Sequence, residues 1–177
     1  MAKVKYVVAT LLIVSAAAAF FHQRIIAWLV LPPYIEWAAA TETAGVAAGQ
    51  ALTEQQLQLA RDIGILQPER VRLVYVDEVP FPYHNLLLKT VGEALGFIGE
   101  GIINNAQVFG YSIYVRKDYS LTKPRLAHEL VHVLQIERSD LTTVVSQHFA
   151  DLATYGYENS PLELEAYQAN KKYAELE

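Results

Sequence analysis

Two histidines with a glutamate between them, His128, Glu129 and His132, are the residues of this chain whose types and spacing best suit chemistry. A four-residue interval on a helix of 3.6 residues per turn brings both imidazoles onto one face, about 40° apart, where each can offer a neutral nitrogen to one Zn²⁺ at about 2.0–2.1 Å. Glu129 follows about 100° round the helix, within reach of a water on that ion but outside the coordination positions. A catalytic zinc takes three protein ligands and leaves one position open. The metzincin extension would place glycine and a third histidine downstream; Gln135 and Arg138 stand there instead, so that class is excluded. The third ligand must come from elsewhere, and Glu163 and Glu165 are the candidates. Residues two apart on a helix diverge by about 200°, so both cannot face one ion. Glu165 shares its side with Gln168 and Lys172, a solvated face, whereas Glu163 shares its side with Ala166, Tyr167, Asn170 and Ala174, which favours Glu163. A capping box is the competing use of Glu163, since it stands three residues after Ser160.

These groups need rigid elements beneath them. Pro124 suits a first helical turn, and a helix from there to about Glu137 sets Leu126, Leu130, Val133 and Leu134 opposite the histidines, an anchor in the core. The next helix is expected after Ser139 or Asp140 and ends at Gly156, with Leu141, Val145, His148, Leu152 and Tyr155 along one side. Ser160, Pro161 and Glu163 mark the start of the last one. Upstream, Thr53 and Gln56 form a capping box, Leu52 and Leu57 a hydrophobic staple, and Gly64 a C-cap. Val71–Val76 and Val108–Val115 read as strands, 86–101 as helix followed by loop, and 38–51 as a linker rich in Ala, Gly and Thr. The glycines at 92, 96, 99 and 101 lack the ending of a phosphate loop and match no dinucleotide fingerprint. Strands preceding helices indicate an α+β fold. His148, Tyr155 and Tyr157 are candidate donors to a developing oxyanion, though His148 and Tyr155 also sit where core residues are expected; His22 and His84 read as structural.

The stretches LAHELVHVLQIER and GYENSPLELEAY resemble the small gluzincin-type, or minigluzincin-like, zinc metallopeptidases, in which HExxH is followed by a glutamate with alanine three residues later. Glu163 and Ala166 match that pattern. Tyr167 departs from it, standing where many gluzincins carry aspartate, the position of a carboxylate that often orients a zinc histidine. The likeness covers residues 105–170. It implies a zincin-like domain holding one Zn²⁺ on His128, His132 and Glu163, with Glu129 as general base and a peptide or protein as substrate. It further implies that the 108–115 strand forms the sheet edge beside the cleft, where an extended peptide adds by strand pairing. A noncatalytic zinc-binding or interaction module on the same scaffold is the alternative.

Composition limits the remainder. The 177 residues accommodate one modest domain and an accessory segment. Residues 1–40 carry Lys3, Lys5 and Arg24 against Glu36, so an overall charge of −5 leaves residues 41–177 strongly acidic. An acidic body argues against nucleic acid as partner. The absence of cysteine removes thiolate zinc sites, thiol nucleophiles and disulfides. Residues 1–40 are expected to be a membrane segment and 41–177 the metallopeptidase domain. The uncharged run Tyr6–Phe21 follows two lysines; a second apolar stretch, Ile25–Leu31, is followed by Pro32 and Pro33, expected to stop any helix. The segment reads as an uncleaved anchor with Trp28 and Trp37 at the interface, or as a cleaved signal with small residues over 15–19; either places the body outside the cytoplasm.

Overall fold

The computed structural model describes residues 28–175. Helix α1 (28–48) leads to β1 (Gln50–Ala51), α2 (Glu54–Ile63), a short 3₁₀ turn (Pro68–Arg70) and β2 (Arg72–Val76). There follow α3 (Leu86–Ala94), β3 (Ala106–Phe109), β4 (Ser112–Arg116), α4 (Lys123–Arg138), α5 (Leu141–Tyr155) and α6 (Pro161–Ala174). The architecture is α+β, a mixed four-stranded sheet ordered β1-β2-β4-β3. β2 and β4 run parallel, whereas β1 and β3 join their neighbours antiparallel.

Strand alternation divides the core in two. Leu73, Ile113 and Val115 point to one face and meet Leu59, Leu126, Leu130, Val133 and Tyr173 from α2, α4 and α6. Val74, Val76 and Tyr114 point to the other and meet Val30, Tyr34 and Ala38 of α1 with Leu88 of α3. Helices therefore cover both sides of the sheet, with α4 and α6 the most extensively packed helix pair among the described residues.

Four expectations need correction. Pro32 and Pro33 do not stop the helix; α1 passes through both. A proline forfeits its own amide bond and crowds the carbonyl four residues back, but its fixed φ suits the turns that follow. Those turns are stabilised by burial of Val30, Tyr34 and Ala38 at four-residue spacing. The linker expected over 38–51 is consequently the end of α1 plus β1, and its Gly45 lets the helix lie on β4, since a Cβ there would come 2.6 Å from that of Ser112. Trp37, expected at a membrane interface, packs on the second apolar layer instead, its ring meeting that of Phe109 edge-on at 5.2 Å. The single strand expected over 108–115 is a hairpin: Gly110 takes φ 56°, as the first central residue of a type II′ turn requires, and chain direction reverses there. The remaining boundaries agree with expectation, including the capping box of Thr53 and Gln56 and the left-handed cap at Gly64. The apolar run Tyr6–Phe21 lies outside the described residues, among which no helix is long and apolar enough to cross a membrane.

Candidate metal centre

α4 is built to hold its histidines still. Pro124 opens it, and Leu126, Ala127, Leu130, Val133 and Leu134 are buried against the sheet and α2. The opposite face carries His128 and His132, whose Nε2 atoms lie 3.2 Å apart. Glu163 arrives from the first turn of α6. Its Oε2 lies 3.4 Å from His128 Nε2 and its Oε1 3.5 Å from His132 Nε2. Glu163 is 3% exposed, and its Oε2 has no hydrogen-bond partner among the described residues. The Ser160 amide donates to the Tyr157 carbonyl oxygen at 3.1 Å and its side chain caps nothing, so the carboxylate is not consumed by a capping box.

The three edges of this triangle test its fit to a metal. Ligands at about 2.0–2.1 Å in tetrahedral array stand about 3.3 Å from one another. Distances of 3.2, 3.4 and 3.5 Å match that figure, and two imidazole nitrogens converging on a buried carboxylate form a donor set for a divalent transition metal. His128, His132 and Glu163 together can hold a metal ion. Burial works against the charge on Glu163, but the neighbouring His128, His132 and His148 hold its pKa below the usual carboxylate range.

A cleft of about 170 Å³ opens over the triad, bounded by edge strand β3, α4 and α5. Glu129 lines it beside the ligands, its pKa pushed up to about 7 chiefly by burial, with His132 opposing and Glu163 adding to the rise. His148 and Tyr157 line it too. The His148 ring stacks on Phe97 at 6.5 Å and meets Tyr157 edge-on at 6.3 Å, and burial lowers its pKa. The Tyr157 hydroxyl is held above its ordinary pKa by burial and then by the Glu163 charge. Tyr155 is 53% exposed and stands outside this lining.

Glu165 faces away from the triad. Its Oε2 accepts from Gln135 Nε2 at 2.9 Å and its Oε1 from Arg138 at 2.6 Å. Gln135 is the residue that motif reading passes over: it is 5% exposed, and its Oε1 lies 2.9 Å from His132 Nδ1. The available signal was its position three residues beyond His132 on the same helix face. Tyr167, at the position where gluzincins carry aspartate, sets its ring 5.0 Å from that of His128.

Fold and site thus define an α+β scaffold presenting a histidine, histidine and carboxylate triad at the floor of a cleft. No protein-family model, curated protein or solved structure matches this chain.

Proposed function

We propose that this protein is a zinc-dependent peptidase of the gluzincin type, with His128, His132 and Glu163 as ligands and Glu129 as general base. The observation that carries the reading is the triangle of donor atoms with edges of 3.2–3.5 Å, set in a cleft that Glu129 also lines. A zinc ion bound there supplies Lewis-acid polarisation of a peptide carbonyl and draws the pKa of a water towards about 7.

The protein's own groups supply the other requirements. Glu129, which lines the cleft beside the ligands, takes the proton of the attacking water on its carboxylate and delivers it to the departing amine. The Tyr157 hydroxyl, protonated at any working pH, is a donor for the oxygen on which negative charge develops, and neutral His148 is a second. β3 pairs with β4 on one side and lines the cleft, so its outer side is where an extended peptide adds as a further strand.

The test is zinc content and peptide hydrolysis by the full chain and by Glu129→Gln. The variant is expected to keep one zinc and to lose about 10²- to 10⁴-fold in rate. Equal rates in parent and variant would remove Glu129 from its role, and bound zinc without cleavage of any member of a broad peptide library would favour the noncatalytic module.

A further inference from the structure

We propose that Gln135 is a positioning residue that fixes both the tautomer of His132 and the register of Glu163 against it, backed by Glu165 and Arg138. The inference rests on the metal reading of the site and concerns residues outside the ligand set.

An amide side chain has one accepting end and one donating end. Gln135 Nε2 is placed 3.0 Å from the carbonyl oxygen of Leu162 and 2.9 Å from Glu165 Oε2. Both of those atoms only accept. Turning the amide over would set its oxygen against a carbonyl and a carboxylate, two repulsions in place of two hydrogen bonds, so the amide has one tenable orientation. Oε1 therefore faces His132 Nδ1 at 2.9 Å as an acceptor, and Nδ1 must carry the proton. In the neutral ring the lone pair is then left on Nε2, the nitrogen pointing at His128 and Glu163. A free imidazole has no such constraint and places its proton on either nitrogen.

The second half of the role is mechanical. Leu162 immediately precedes Glu163, so the same amide grips the backbone of α6 one residue from the third ligand and grips His132 on α4. The Arg138 guanidinium, on Glu165 at 2.6 Å, holds the outer end of this chain of contacts. One buried side chain thereby ties together the elements that must meet around a cation. It does so with a neutral amide, at a site where Tyr167 supplies no carboxylate.

The experiment reads the His132 ring of the zinc-free full chain by long-range ¹H–¹⁵N correlation at pH 8, and zinc affinity by competition with a chelator. Expected are the Nδ1–H tautomer in the parent, a mixture or the Nε2–H form in Gln135→Met, and a loss of zinc affinity of about 10- to 100-fold in that variant. Glu165→Gln keeps an acceptor for the amide and should retain the parent tautomer. An Nε2–H ring in the parent overturns the proposal without needing any variant to fold, and so does unchanged affinity in a folded Gln135→Met. A parent that shows the Nδ1–H tautomer but binds no zinc overturns the metal reading beneath it, which keeps the two failures distinct.

Discussion

Glu163 and Glu165 are the same residue type two positions apart, and helical geometry sends them to different tasks. One carboxylate is buried against two imidazoles; the other reaches Gln135 and Arg138. Glu163→Ala is accordingly expected to abolish stoichiometric zinc in elemental analysis, whereas Glu165→Ala should retain one equivalent with a modest loss of affinity. Retention by both variants would exclude α6 as the source of the third ligand. The histidine pair and its glutamate were legible because their geometry is internal to one helix and needs no tertiary knowledge. Gln135 was not, because its meaning depends on Leu162 and Glu165, distant in sequence, and on its own it registered merely as the absence of a metzincin glycine. Periodicity puts Tyr155 on an apolar stripe, but it falls in the last turn of α5, where the stripe runs beyond the core and the ring is left half exposed.

Among the elements, local signals served best where they act within one turn. α5 starts where its cap stands: the Asp140 carboxylate accepts from the Thr143 amide at 2.8 Å and from the Thr143 hydroxyl at 2.8 Å. The Thr143 backbone bond first, then its side-chain bond, lower the pKa of Asp140 in the folded state. A lowered folded pKa means the carboxylate stabilises the fold fully above the unfolded value of about 3.9, and that contribution is lost as pH falls through the folded pKa. Asp140→Ala should therefore melt below the parent at pH 7, with the gap narrowing under about pH 4; a gap independent of pH would mean the cap acts without its charge. Signals that depend on partners served worse. Pro32 and Pro33 punctuate an isolated helix, but the apolar face of α1 is held by the sheet, and tertiary burial outweighs the local penalty. The hairpin looks like one strand in sequence because its two-residue turn contains Tyr111, a strand-favouring residue, beside the glycine that reverses the chain.

At the scale of the whole molecule, the sheet separates two apolar layers, and α1 belongs to the second as fully as α3 does. Its exposed end carries Trp28 and Leu29, 83% and 50% exposed, and the uncharged run expected to act as an anchor, Tyr6–Phe21, precedes them across residues 22–27. If that run is an anchor, as the sequence leads one to expect, the lysines that precede it place the acidic body on the extracytoplasmic side. After alkaline extraction of membranes the full chain should stay in the pellet; recovery in the supernatant would replace anchoring with release. The α+β class was readable from element order, but the pairing of β2 with β4 was not, because strand order is set by contacts across distant segments.

The third corner of the triad lies on α6, and a ribosome makes α4 and α5 before it. Until that last helix docks, His128 and His132 form a two-pronged grip, and Gln135 lacks both acceptors that orient it. On the proposed reading, ion capture is then a late event of biogenesis. A chain that has emerged only through α5 therefore carries the two histidines without the carboxylate that closes the triad.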